Sequence, residues 1–349
     1  MAKIQNIRIE AIYASVPKTV VRTADYPHFT AEESDSFTKN TGVKERRVAN
    51  DQTTCSDLCL NAAEKLLHDF KLHDEIDLLI FVSQSPDYFL PSTAAILQDK
   101  LGLKTSCQAF DVNLGCSGYV YGLNIAGQFL QSRMANKVLL LVGDKSTIST
   151  CELDKSTYPL FGDAGTATLL SWDSLQWPWV MDAGTDGKGA EAIIIKGGHS
   201  RHPYGTYDDA ILDFQGNKHS NSHLHLEGLS VFNFALREVP KTINNVLKEA
   251  KMNEDDIDFY VLHQANALIT KTIAKKLNVD YSKFLSSIEF FGNTSSASIP
   301  LTLVHNAQSL PKNKLFNFVL CGFGVGFSWA TLLIPMKMPL TKYLEYESV

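Results

Sequence analysis

Apolar and polar residues alternate through residues 1–17 with the two-residue period of a half-buried strand, and the segment lacks the long apolar run of a signal peptide. Continuous apolar runs follow within residues 75–84, 108–112, 137–142, 256–264 and 315–320. Each is short and bounded by polar or turn residues, which predicts strands buried on both faces. Residues 94–101 and 269–277 carry helical spacing instead. Strands alternating with helices predict an α/β protein with helices on the faces of a mixed sheet.

Two stretches are long enough to suggest a membrane span and are read otherwise. Between Lys314 and Lys337 lie 22 uncharged residues, broken by Gly322, Gly324 and Gly326 and ending near Pro335. Two core strands around a glycine turn are predicted there. Between Asp111 and Arg133 lie 21 uncharged residues that include Asn113, Ser117, Asn124 and Gln128. They predict a helix buried on every side in a large globular protein.

The pattern occurs twice. Glu75-Ile76-Asp77-Leu78 and its strand resemble Asp256-Ile257-Asp258-Phe259 and its strand, at an offset of 181 residues. Asn113-Leu114-Gly115-Cys116-Ser117 matches Phe290-Phe291-Gly292-Asn293-Thr294 at an offset of 177. With the helices between them and a further strand in each copy, four elements recur in one order. Two copies predict a duplicated pseudo-dimer of α/β halves, 1–173 and 174–349, and exclude a solenoid. Residues 182–227, rich in Gly, His, Asp and Ser, predict a long excursion over a mouth or an interface.

Composition narrows the partners. A net charge of −6, with no basic stripe, argues against nucleic acid. The six cysteines contain no C-x-x-C pair, and Cys55 and Cys59 read as core-facing helix residues, so a reducing cytoplasm fits. Five histidines (His199, His202, His219, His223, His225) crowd the excursion without acidic or thiol partners at ligand spacing, so no metal is expected. Gly184-Thr185-Asp186-Gly187 reads as a turn, not a phosphate cradle.

Three residues carry candidate chemistry. Cys116 stands where a strand gives way to a helix, a position that favours the thiolate. His263 ends a strand, and Asn293 sits in a Gly-Asn-Thr-Ser turn. Alone, each has an ordinary reading: a small buried residue, a structural histidine, a helix cap. The duplication puts Cys116 and Asn293 at matching positions, with His263 ending the strand before the second. Together they offer a nucleophile, a base or donor, and a neutral amide donor.

On these residues the chain resembles the β-ketoacyl-acyl-carrier-protein synthase III family of thiolase-superfamily condensing enzymes. The likeness runs through Thr41-Gly42-Val43, Asn113-Leu114-Gly115-Cys116-Ser117-Gly118, Phe161-Gly162-Asp163, His263-Gln264-Ala265-Asn266, Gly292-Asn293-Thr294 and Gly322-Phe323-Gly324-Val325-Gly326-Phe327. It implies a thiolase-like pseudo-two-fold fold layered helix, sheet, helix, sheet, helix. Cys116 would take an acyl group from a thioester; His263 and Asn293 would hold the enolate oxygen left when a malonyl thioester loses CO₂. A second oxyanion site would use the N–H groups of Cys116 and of Val325 or its neighbour.

The same resemblance implies substrate contacts at Leu90, Lys155, Phe232 and Asn266. It implies a surface for acyl-carrier protein at Lys271, Lys275 and Lys276, a homodimer, and no resident cofactor beyond the pantetheine of its acyl-CoA or acyl-carrier substrates. Departures from the family bear on substrate. Ser36 and Asn40 stand where members primed by acetyl-CoA clamp adenine between tryptophan and arginine, and Asn233 and Leu268 replace a lysine and an arginine. Leu90 replaces a phenylalanine at the acyl end of the pocket. Two rival readings remain at this point: an acyltransferase of the same fold that never decarboxylates, and a catalytically silent scaffold subunit.

Overall fold

The computed structural model describes residues 2–174, 177–203, 211–214 and 217–348. Two sheets dominate. The first contains β2 (Ile7–Pro17), β3 (Leu78–Val82), β4 (Gln108–Val112), β5 (Lys137–Lys145), β6 (Asp163–Trp172) and β11 (Leu340–Tyr346), in the order β11-β2-β6-β5-β3-β4. The second contains β1 (Ala2–Ile4), β7 (Trp179–Thr185), β8 (Phe259–Leu262), β9 (Leu315–Gly324) and β10 (Ser328–Lys337), in the order β1-β7-β10-β9-β8. The run β2-β6-β5-β3 in one repeats as β7-β10-β9-β8 in the other. In both, the first two pairings are antiparallel and the last is parallel. The counterpart of β4 shrinks to a single parallel bridge between Tyr260 and Phe284.

Helices fill three layers around these sheets. Alternate residues of β3 show why. Leu78, Ile80 and Val82 enter a central core with α4 (Gly118–Gln131) and α7 (Ser298–Asn306). Leu79 and Phe81 enter an outer core with α2 (Cys55–Phe70) and α3 (Thr93–Lys100). On the far side, α5 (Gly228–Ala250) and α6 (Ala267–Leu277) cover Val319, Cys321 and Leu333 of the second sheet. Each large aliphatic side chain buried this way contributes about 1.5–3 kcal/mol. The uncharged run after Asp111 is α4, sandwiched between sheets. The uncharged run after Lys314 is the β9–β10 hairpin. Cys55 and Cys59 face the outer core. No helix among the described residues is long and apolar enough to cross a membrane.

The termini depart from the sequence reading. The alternation through residues 1–17 makes two strands, because Asn6 takes a left-handed conformation (φ 63°) and redirects the chain. β1 then pairs with β7 in the second sheet while β2 stays in the first, and β11 returns from the C-terminus to pair with β2. Asp173 lies between β6 and β7, yet one strand from each end of the chain crosses to the opposite half.

Candidate active site

Three turns meet at the inner face of the duplicated core. Cys116 sits in the turn between β4 and α4, His263 directly follows β8, and Asn293 lies in the turn leading to α7. The Phe-Gly-Asp segment holds the last of these: Asn293 N–H donates to Leu160 O (2.9 Å), and Gly162 N–H donates to Asn293 O (3.0 Å). All three side chains line one cavity of about 140 Å³, whose wall includes Leu160, Ile193, Leu226, Val231, Ile269 and Phe323. Ile193, Ile195, Leu224 and Leu226 come from the excursion, which therefore supplies part of the cavity wall. Residues 204–210, 215 and 216 of that excursion lie outside the described residues.

Each side chain has a defined electrostatic setting. His263 Nδ1 lies 2.8 Å from Ser298 Oγ, which leaves Nε2 as the ring nitrogen for a ligand. Burial pushes its pKa down to about 3, against a smaller opposing effect of the Ser295 backbone, so the imidazole is neutral. Asn293 Oδ1 accepts from Ser295 N–H (2.9 Å), turning the amide NH₂ toward the cavity.

Cys116 corrects an expectation. Burial and then the nearby Asp144 carboxylate push its thiol up to about 11, although the Val325 backbone, the Ser295 hydroxyl and its own backbone N–H oppose this. The helix N-terminus does not make a resting thiolate in this setting. Backbone groups of Val325 and of Cys116 itself nevertheless both bear on the sulfur.

Gly322 and Gly324 are explained by close approach. A Cβ at Gly322 would meet Cys116 O at 2.7 Å, and one at Gly324 would meet Cys116 Cβ at 2.7 Å and Sγ at 2.8 Å. Gly324→Ala is therefore expected to displace the thiol. An ångström of misplacement costs about 10²-fold in rate, read as slowed acylation of Cys116 by intact mass while circular dichroism stays unchanged.

The family profile described as 3-oxoacyl-[acyl-carrier-protein] synthase III matches residues 110–187, and its C-terminal counterpart matches residues 247–336. The β-ketoacyl-[acyl-carrier-protein] synthase III of Lactococcus lactis is 32% identical over 334 residues, covering 94% of this chain and 98% of that protein. The chain belongs to the β-ketoacyl-acyl-carrier-protein synthase III family. Its fold superposes on a 3-oxoacyl-(acyl-carrier protein) synthase from Burkholderia xenovorans with a TM-score of 0.93 at 37% identity, covering 99% and 98% of the two chains. The synthase III of Thermus thermophilus gives 0.81 at 28% identity, with 95% and 99% covered. The protein is an acyl-transferring condensing enzyme with the thiolase-like fold.

Other residues singled out in the sequence fall in varied places. Asn266 lines the enzyme's cavity, but its side chain caps α6 by accepting from Ile269 N–H (2.8 Å). Lys155 is not on the cavity wall; its ammonium is 2.7 Å from Glu33, which draws it to the surface. Phe232 packs against the outer core of the second half and does not reach the cavity. Leu90 is 74% exposed and stands outside this chain's cavity, beside exposed Tyr88 and Phe89. Lys271, Lys275 and Lys276 are exposed on α6; Lys276 donates to Leu236 O (2.9 Å) and Lys271 lies over the Tyr281 ring. His219 packs against His225 (centroids 5.4 Å), with Nδ1 3.8 Å from an Asp154 oxygen.

Sequence reasoning assigned no role to Asp144, Ser295 or Ser298. Ser295 closes the Gly-Asn-Thr-Ser turn that carries Asn293, and Ser298 follows three residues later. Asp144 carried a usable signal, since it is an acid directly following the apolar run 138–143 of its strand.

Proposed function

We propose that Cys116 accepts an acyl group from a thioester and that the acyl-enzyme is attacked by the enolate formed when malonyl-acyl-carrier protein loses CO₂. The products are β-ketoacyl-carrier protein, CO₂ and the free thiol of the donor. The observation that carries these roles is the convergence of Cys116, neutral His263 and the inward amide of Asn293 on one cavity. As carbon dioxide leaves, charge builds on the thioester oxygen. His263 Nε2–H and the Asn293 amide are two fixed donors for it, and neither brings a charge of its own. The carbanion then attacks the acyl carbon on Cys116, whose oxyanion meets the Cys116 and Val325 N–H groups. This chemistry needs no resident cofactor.

The apolar cavity wall suits an acyl chain. The lysines of α6 share their helix with the wall residue Ile269, and an exposed cationic surface of this kind suits an acidic carrier protein. The exposed Tyr88-Phe89-Leu90 run suits burial by a second copy in a homodimer, where Leu90 would reach the partner's acyl chain. Six free cysteines fit a cytoplasmic setting.

The test is incubation with an acyl thioester and malonyl-carrier protein, with CO₂ and the mass of Cys116 followed together. Acyl-Cys116 without CO₂ release would instead favour the non-decarboxylating acyltransferase, and neither signal would indicate a silent subunit. Donor choice gives a further expectation. Ser36 and Asn40 are exposed on α1 (Ala31–Thr41), and neither can stack on adenine or make a cation–π contact. That contact is worth about 0.5–2 kcal/mol. An acyl-carrier donor should thus load Cys116 with higher kcat/KM than the same acyl group on CoA. A clear CoA preference in matched acylation rates refutes this.

A further inference from the structure

Two buried hydroxyls lie behind the nucleophile and have no part in the reaction above. Ser117 follows Cys116 and is 1% exposed; Ser328 opens β10 and is 5% exposed. Their Oγ atoms are 2.7 Å apart, and Ser328 Oγ donates to the Val325 carbonyl at 2.8 Å. A serine hydroxyl carries one proton, and that of Ser328 is spent on Val325. Ser117 is therefore the donor within the pair. The bonds run one way, from Ser117 to Ser328 to the Val325 carbonyl, and such chains strengthen each member.

The place of Ser117 makes this use of its hydroxyl informative. It is the N-cap residue of α4, where a serine ordinarily turns its oxygen onto a free N–H of the first turn. Among the described residues Ser117 Oγ makes no such bond. The hydroxyl crosses instead to the other half of the duplication, 211 residues away.

The two hydroxyls reach the connection 325–327 between β9 and β10. The far end of this connection is anchored: Phe327 exchanges backbone hydrogen bonds of 2.8 Å with Asp186 and stacks on Phe234 with centroids 4.1 Å apart. At the near end, Gly324 faces Ser328 as the last pair of the hairpin, and a Cβ on it would lie 2.8 Å from Cys116 Sγ. Val325 lines the cavity beside Cys116, between Gly324 and Gly326, whose backbones are the least restricted of any residue type. With Gly324 held by the hairpin, a fixed Val325 carbonyl limits rotation about both backbone bonds of Val325. The direction of its N–H is limited with it.

We propose that Ser328, backed by Ser117, is a positioning residue that sets the Val325 N–H against the carbonyl oxygen of the acyl group on Cys116. The two donors assigned to that oxygen come from different halves, Cys116 from the first and Val325 from the second. The Ser117–Ser328 bond joins the residue after one donor to the residue that holds the other, and so fixes their spacing. As the thioester carbonyl becomes tetrahedral its oxygen gains negative charge, and donors already in place stabilise it without reorganising. No proton passes through the two serines.

The inference rests on Cys116 being the acyl acceptor, and one experiment separates the two claims. Acylation by matched acyl-CoA and acyl-carrier thioesters is followed by rapid-quench intact mass over a range of donor concentrations. The proteins compared are the wild type, Ser328→Ala, Ser328→Thr, Ser117→Ala and the double alanine variant. Two further rates are measured on each. Alkylation of Cys116 by iodoacetamide needs the thiol in place but builds no charge on a carbonyl oxygen. Decarboxylation of malonyl-carrier protein uses His263 and Asn293. The wild type must acylate at Cys116; if it does not, the functional reading fails and takes the inference with it. Ser328→Ala should acylate about 10²-fold more slowly at saturating donor, with donor KM, alkylation and decarboxylation unchanged. Ser328→Thr keeps the hydroxyl and should recover most of the rate. Ser117→Ala should lose less than Ser328→Ala, and the double variant no more than Ser328→Ala alone, because Ser117 acts through Ser328. A pair that serves packing alone predicts a wild-type acylation rate in Ser328→Ala, or equal losses in acylation, alkylation and decarboxylation. Either result overturns the inference. Ser117→Ala leaves the donor to Val325 in place, so it reads the same split between acylation and alkylation even where Ser328→Ala folds poorly.

Discussion

Cys116→Ala abolishes condensation while malonyl decarboxylation continues: this is the result expected from the way the cavity divides its work. The sulfur is the only protein atom in the proposed reaction that becomes covalently bonded to the acyl group. Removing a nucleophile of this kind costs on the order of 10⁶-fold, so no β-ketoacyl product should be detected. The enolate donors are elsewhere. His263 is held through Ser298, and Asn293 through the Ser295 N–H and the Leu160–Gly162 backbone, and none of these anchors touches the Cys116 side chain. Carbon dioxide should therefore still be released from malonyl-carrier protein, with the resulting carbanion protonated instead of acylated. The intact mass of Cys116→Ala should stay unchanged on exposure to any acyl donor. Retained condensing activity in this variant contradicts the nucleophile assignment.

Much of the architecture was legible because burial on both faces leaves a continuous apolar run, and such runs stand out as Leu78–Val82 and Leu315–Gly324. The duplication was legible because the two halves kept their spacing. The exchange of terminal strands was not. An alternating strand looks the same whichever sheet it joins, and only the left-handed turn at Asn6 sends β1 away from β2. Residue identity likewise showed Cys116, His263 and Asn293 without showing their protonation. The thiol pKa depends on burial and on Asp144, which only the folded chain brings beside Cys116, and the bond of that carboxylate to Ser296 in the other half spans 152 positions. The ion pair of Lys155 was hidden for the same reason, since the Glu33 that captures it lies 122 residues earlier. Local pattern finds elements and reactive residue types. Electrostatics belongs to contacts that only the folded chain makes.

The neutral state of His263 leads to the second large effect. Each enolate donor of a pair is worth about 10²–10³-fold, so His263→Ala and Asn293→Ala should each lower decarboxylation by that factor. Both donors grip one oxygen, so the double variant should lose far less than the product of the single losses. The pH profile tests the assignment more sharply. A protonated imidazole acting as an acid would lose activity as pH rises through about 6.5, the ordinary histidine value. With its pKa pushed down to about 3, His263 donates the same Nε2–H from pH 5 to pH 8, and decarboxylation should be flat across that range. Stability follows the same shift with a definite sign. Between about pH 6.5 and pH 3 the unfolded chain binds a proton at this position that the folded chain refuses, so the unfolded state gains as pH falls. The contribution of neutral His263 is present above pH 6.5 and is lost progressively toward pH 3. His263→Ala should consequently show a shallower fall in denaturation midpoint over that interval than the wild type. A limb near pH 6.5 in the decarboxylation rate, removed by His263→Ala, would show that the imidazole is protonated when it acts and would return it to the role of general acid.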